Sequence, residues 1–157
     1  MKSVRPACID ASFALSLVLP GALRAEVRDF WTNWIAEERV ILAPRSWVLD
    51  VTNALGRLAS MDGGGLDREQ ATDALDYLLD LPVQLYDVEA HAMEMWREVM
   101  VGMNVASAYD ACYILTAMQS DAELWTCDPK IAEQVGSAEF VRFVRPEGLR
   151  REGKSGT

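Results

Sequence analysis

Histidine and cysteine are scarce in this sequence. His91 is the only histidine, and its place beside Glu94 on a predicted helix favours a surface position over a role as a base. No convincing Ser/His or Cys/His pair remains, so a protein nucleophile is not indicated. The odd number of cysteines, their apolar surroundings and the absence of metal-ligand spacing predict reduced, buried thiols in a cytoplasmic protein. The three cysteines are Cys8, Cys112 and Cys127.

Long apolar runs and an excess of basic residues are also absent. No run approaches the ~20 residues of a membrane helix, and residues 13–19 follow a strand-like segment rather than a basic leader. We therefore expect neither a signal peptide nor a membrane span. The formal net charge of -9 argues against a broad basic surface for nucleic acid. It does not exclude an enzyme that reaches phosphate through a bound metal.

The pattern of apolar residues predicts one α/β domain. The chain has 157 residues, a length that suits a single domain with a substantial core. Segments typical of strands alternate with amphipathic helices, and this alternation predicts a three-layer domain with a mostly parallel five-stranded sheet covered by helices on both faces. We expect the domain to span residues 1–146, with a flexible tail at 147–157. The predicted strands are residues 4–9, 40–43, 83–86, 123–127 and 139–144.

Two aspartates directly follow predicted strands. Asp10 comes after the first strand and Asp128 after the fourth. In parallel sheets, sites form beyond the carboxyl ends of the strands, so both side chains are placed where a site is expected. Each could also be a helix N-cap, and Pro129 suits the first position of such a helix. Capping leaves the carboxylate free to face a ligand, so the two interpretations are compatible.

Two further aspartates lie on predicted helices. Asp110 is the only charge in residues 106–119, a segment that is apolar nearly all round and therefore predicted to be buried. A buried carboxylate needs a partner, which could be an arginine, a backbone amide or a metal ion. Asp50 lies at the edge of an apolar stripe on a helix capped by Ser46. It could bind metal, remain solvated, or pair with Arg45 or Arg57.

The four aspartates together predict a metal site. Several carboxylates cannot all stay ionised in one low-dielectric cleft unless cations neutralise them. Ligands that are all oxygen favour hard ions, so Mg²⁺ or Mn²⁺ is expected rather than Zn²⁺. Positive charge for a phosphate could come from Arg24, Arg28 and Arg45, although each of these could equally be an ordinary solvated side chain.

Four short motifs follow one another along the chain: Asp10-Ala11-Ser12 (D-x-S/T), the helix around Asp50, Tyr109-Asp110-Ala111-Cys112-Tyr113 (Y-D-A-x-Y) and Thr126-Cys127-Asp128 (T-x-D). In this order they resemble the motifs of the PIN-domain family, and in particular those of the single-domain toxins of VapBC toxin–antitoxin pairs. The resemblance covers about residues 4–144. It implies that Asp10, Asp50, Asp110 and Asp128 hold the metal, with supporting or substrate-side roles for Ser12 and Thr126.

The resemblance implies a metal-dependent endoribonuclease that cuts RNA, works as a homodimer and is covered by an antitoxin protein. One departure matters: the second acidic position is usually Glu in the family, and Asp50 is one methylene shorter. A module that binds RNA or a partner without cutting therefore stays open. Apolar side chains on the second helix could serve a partner or the core; they are Phe30, Trp31 and Trp34.

Two other α/β classes fit the sequence less well. A phosphoacceptor receiver domain requires a clustered acidic pair after the first strand, and Asp10 has no adjacent acid. A phosphatase of the haloacid dehalogenase type requires Asp-x-Asp, where this chain has Asp10-Ala11-Ser12.

Overall fold

The computed structural model describes residues 3–60 and 65–146. Within them, five strands form one sheet in the order β3-β2-β1-β4-β5, and every neighbouring pair is parallel. The predicted α/β class and five-stranded sheet are confirmed, and the sheet is wholly rather than mostly parallel. The predicted tail at 147–157 lies outside the described residues. The strands are β1 Ala7–Ile9, β2 Ile41–Pro44, β3 Gln84–Tyr86, β4 Glu123–Thr126 and β5 Val141–Phe143.

Seven α-helices connect the strands in the described part of the chain. The fifth is one turn of α-helix, preceded by a 3₁₀ turn at Val88–His91 and followed by a π-helix at Met95–Val101. The helices are α1 Ala11–Val18, α2 Arg24–Ala36, α3 Ser46–Ser60, α4 Arg68–Leu79, α5 Ala92–Glu94, α6 Ala108–Gln119 and α7 Pro129–Val135.

The strand order creates a switch point between β1 and β4. From β1 the chain winds outward through β2 to β3, and it then crosses back to β4 and continues outward to β5. Because crossovers between parallel strands are right-handed, the two directions of winding place helices on opposite faces of the sheet. The ends of β1 and β4 therefore open the crevice in which α/β proteins bind ligands.

The centre of the core lies on both faces of β1. All three residues of β1 are fully buried, and residues 111–117 of α6 are buried as well. The predicted burial of residues 106–119 is therefore confirmed only for the middle of the helix, because Tyr109 and Met118 are exposed and Asp110 is half-buried. On α2, Trp31 and Trp34 are buried, and Trp34 stacks on Phe13 with ring centroids 5.2 Å apart. These two tryptophans thus serve the core rather than an exposed surface.

Helix ends follow the capping side chains, with two corrections. In the sequence, Asp67 followed three residues later by Gln70 predicts a capping box. That capping box is present at the start of α4. Ser46, predicted to be an N-cap, is instead the first residue of α3. The sequence predicts a regular helix over residues 87–100 capped by Asp87, and this prediction is wrong, because the Asp87 side chain makes no capping hydrogen bond. The chain there forms the 3₁₀–α–π succession, whose last turn is closed by the Gly102 amide donating to the Arg97 carbonyl at 3.0 Å.

Candidate active site

Asp10 is the most enclosed member of the predicted site. It ends β1 and caps α1, and one carboxylate oxygen accepts the Phe13 amide at 2.9 Å and the Ser12 hydroxyl at 2.6 Å. The other oxygen accepts the Thr126 hydroxyl. The side chain is only 3% exposed, and burial raises its pKa to about 6. Desolvation therefore outweighs the three hydrogen bonds, which lower the pKa.

Two hydroxyls join the end of β1 to the end of β4. Ser12 Oγ accepts the Cys127 amide and Thr126 Oγ1 accepts the Asp128 amide, each at 2.9 Å. Each hydroxyl has a single proton, and each donates it to Asp10. The network fixes Asp10 relative to Asp128 across the switch point. It gives Ser12 and Thr126 a supporting contact, in line with what the resemblance implies.

The other three aspartates line one open cleft with a volume of about 620 Å³. Asp50 reaches it from α3, Asp110 from the first turn of α6, and Asp128 from the N-cap of α7. We call this the acidic cleft. Its lining residues are Leu49, Asp50, Asn53, Ala54, Arg57, Tyr109, Asp110 and Asp128.

The charges in the acidic cleft act on one another. Burial raises the pKa of Asp110, the carboxylates of Asp128 and Asp50 raise it further, and Lys130 lowers it. The charge of Asp128 also raises the pKa of Asp10. Asp10 does not line the cleft, but it is linked to the other three through Asp128.

The four carboxylates have different partners. Asp50 accepts the Tyr113 hydroxyl at 2.6 Å and makes none of the ion pairs with Arg45 or Arg57 that were considered. Asp128 accepts the Lys130 amide at 2.9 Å. Within residues 3–60 and 65–146, the Asp110 carboxylate has neither an ion pair nor a hydrogen bond. The arginine or amide partner considered for it is therefore absent from that part of the chain.

Tyr113 contacts the candidate site, although in the sequence it appears only as the last residue of the Y-D-A-x-Y motif and was assigned no role. Its ring is buried, and this burial is the main reason that the pKa of its hydroxyl is raised. The nearby Asp50 carboxylate raises that pKa further. The hydroxyl thus remains protonated and can donate to Asp50. The contact depends on how α3 meets α6, which the spacing within either helix does not specify.

Arg57 is a second residue that was not predicted for the site. It is exposed, lies seven residues after Asp50 and is the one cationic side chain among the described residues that line the cleft. By contrast, Arg24 and Arg28 line a separate cavity with Gln70 and Tyr77.

The candidate ligands have the right chemistry for a hard cation, but their side chains are not positioned to bind one ion together. All candidate ligands are carboxylate oxygens, which favour Mg²⁺ or Mn²⁺. In the described part of the chain, however, no three Asp, Glu, His or Cys side chains are close enough to hold one ion. Binding therefore requires side-chain rotation within the cleft, for which the unpartnered Asp110 carboxylate has the most freedom.

Comparisons with known proteins identify the fold. No protein-family model matches the sequence, and no curated protein is significantly similar to it. The structure is similar to PAE2754 from Pyrobaculum aerophilum, with a TM-score of 0.60 and 21% identity over 83% of this chain and 79% of that one. It is also similar to Mycobacterium tuberculosis VapC20, a sarcin–ricin loop cleaving toxin. That TM-score is 0.62, with 19% identity over 89% of this chain and 99% of VapC20.

Proposed function

We propose that this chain, which has the fold of a VapC-type PIN domain, is a metal-dependent endoribonuclease. The observation that carries the proposal is the acidic cleft, which three aspartates from separate helices line at the switch point without an ion pair among the described residues. The carboxylates of Asp128 and Asp50 raise the pKa of Asp110, and such like-charge repulsion favours the binding of a divalent cation.

Each aspartate has a distinct task in this proposal. Asp110, Asp128 and Asp50 would hold Mg²⁺ or Mn²⁺ in the acidic cleft. Asp10 would be the fourth carboxylate, at the buried end of β1 next to Asp128. Bound there, the metal would activate a water molecule and stabilise charge on the attacked phosphate and on the leaving oxygen. The hydroxyls of Ser12, Thr126 and Tyr113 orient the carboxylates of Asp10 and Asp50, so the protein contributes positioning rather than a nucleophile.

The wider role follows from the same likeness. VapC20 is a sarcin–ricin loop cleaving toxin, and by analogy we assign this chain to a type II toxin–antitoxin pair in the cytoplasm. We expect a homodimer and an antitoxin that covers the acidic cleft. Along the described part of the chain, no helix combines the length and apolarity needed to cross a bilayer.

A catalytically impaired module that binds RNA or a partner is the second candidate. Two observations favour it: Asp50 is short and held by Tyr113, and no three ligands within the described ranges converge on one point. Calorimetric titration of the protein with Mn²⁺ separates the candidates. A ribonuclease must bind the ion at the acidic cleft, whereas saturable Mn²⁺ binding is not required of the module.

The decisive test is cleavage of single-stranded RNA with Mn²⁺, with and without a chelator. We expect the wild-type chain to cut, the chelator to stop it, and Asp110→Asn to reduce the rate at least ~100-fold, because Asp110 is the aspartate most available to a cation. Asp76→Asn, at an exposed position on α4 away from the cleft, is the matched control and should cut normally. Retained cleavage by a folded Asp110→Asn variant would refute the assignment.

A further inference from the structure

Two large apolar side chains stand exposed beside the proposed metal ligands. Leu49 is 72% exposed and precedes Asp50 on α3; Tyr109 is 69% exposed and precedes Asp110 on α6. A single exposed apolar residue is ordinary. These two come from different helices, however, and line the same acidic cleft. An aromatic face and an aliphatic side chain are thus available to a molecule bound there.

Polar groups continue the cleft along α3. Asp50, Asn53, Ala54 and Arg57 follow the i, i+3, i+4, i+7 spacing of one helix face. Asn53 and Arg57 are exposed, Ala54 leaves room between them, and Arg57 has no ion pair within the described ranges. Seven residues of helix span about 10 Å. The cleft therefore runs from a carboxylate cluster to a guanidinium along its length.

The charge of the molecule limits how it can bind RNA. With a net charge of -9 and one cation among the described lining residues, the protein cannot rely on general attraction to phosphates. Stacking of bases on aromatic side chains supplies affinity without net charge. The side chain best placed for stacking at the cleft is Tyr109.

We propose that Tyr109, supported by Leu49, stacks on an unpaired base next to the scissile phosphate, while Arg57 binds a neighbouring phosphate and Asn53 donates to a base or sugar. This inference rests on the proposed function and assigns the residues that would hold the RNA. The base on Tyr109 must be unpaired, because bases inside a duplex are not free to stack on a side chain. The aspartates and Arg57 in one cleft match a phosphate chain with bound metal better than they match an apolar peptide segment.

The test is a double-mutant cycle between the protein and the RNA. A fluorescent single-stranded RNA and a set of copies, each lacking one base, are titrated by anisotropy into the full chain carrying Asp110→Asn, which prevents cutting. Adding Tyr109→Ala should weaken binding of the intact RNA at least about fivefold, and Tyr109→Phe should not. Tyr77→Ala, an exposed tyrosine on α4 outside the cleft, should have no effect.

Binding of the RNAs that each lack one base distinguishes a lost stacking contact from a general loss of folding. At one position, removal of the base should weaken binding to the protein with Tyr109 and have little effect on the Tyr109→Ala variant. Equal losses in both proteins at every position, or unchanged binding on Tyr109→Ala, would overturn the proposal. The latter result would leave the exposed pair available for a protein partner instead.

Salt dependence tests the phosphate contact. Arg57→Gln should reduce the slope of log Kd against log salt by about one, whereas Arg68→Gln at the start of α4 should not change it. An unchanged slope for Arg57→Gln would remove Arg57 from the proposal. The outcome is separable from the proposed function: cleavage by wild type without coupling to Tyr109 refutes only the stacking. Coupling without cleavage refutes only the nuclease, and absence of RNA binding refutes both.

Discussion

At the scale of single residues, the four aspartates differ in how firmly their carboxylates are held. Asp10 accepts three donors, Asp50 and Asp128 accept one each, and Asp110 accepts none within residues 3–60 and 65–146. Hydrogen bonds thus orient the carboxylate of Asp10 most firmly and that of Asp110 least. Of the four carboxylates, that of Asp110 is therefore the one that a cation could bind without displacing a hydrogen bond from the described residues.

Removing the Tyr113 hydroxyl should loosen Asp50. Tyr113→Phe keeps the buried ring but deletes the 2.6 Å hydrogen bond, and partners of metal ligands are typically worth about 10-fold or more in affinity or activity. We expect Mn²⁺ affinity, measured by calorimetry, to fall by about that factor. Tyr86→Phe, which loses only a hydrogen bond to Gln119, is the control. Equal Mn²⁺ affinities in the two variants would exclude a positioning role for Tyr113.

Asp10 should make the metal-free protein less stable as pH rises. Its pKa of about 6 in the folded state lies above the ordinary value of 3.8, so between these values the folded protein binds more protons than the unfolded one. The contribution is full below pH ~4 and is lost as pH rises through ~6, at most about 3 kcal/mol. Urea unfolding with a chelator should show the decline in wild type and a flatter profile for Asp10→Asn. Parallel profiles would contradict it.

At the scale of elements, the sequence predicts what depends on neighbours along the chain. The apolar runs of the strands, the capping box of α4 and the burial of the middle of α6 are local patterns, and all three agree with the structure. The segment at 88–101 differs because its 3₁₀ and π turns depend on tertiary packing, which a helical period does not record. For the same reason the sequence points to the aspartates but not to Tyr113 or Arg57.

The capping box gives a prediction confined to one element. Asp67 accepts the Gln70 amide at 2.8 Å, and the Gln70 side chain accepts the Asp67 amide at 3.0 Å. Asp67→Ala should therefore destabilise the fold by about 1 kcal/mol, measured by urea unfolding. Asp73→Ala, exposed in the middle of α4, serves as the control. RNA cleavage should be unchanged in both, and an equal loss of stability would argue against the cap.

At the scale of the whole molecule, binding of a divalent cation to the proposed metal site should stabilise the folded state against unfolding. Mn²⁺ at 100 times its Kd should stabilise the folded state by about 2.7 kcal/mol, or roughly 5–10 °C in Tm for a domain of this length. The shift should disappear with a chelator and be much smaller in Asp110→Asn, whereas Asp76→Asn should keep it. Differential scanning calorimetry measures all four cases. An equal shift in Asp110→Asn would place the ion elsewhere.

The pairing of β1 with β4 also bears on how the protein is made. Thr126 and Asp10, which meet across the switch point, are 116 residues apart in the chain. Domains fold as units during synthesis, and contacts this distant form late. A nascent chain on the ribosome therefore lacks both β4, which pairs with β1, and Asp128 until nearly all of the domain has emerged. Translation itself thus delays the assembly of the proposed site until shortly before the domain is complete.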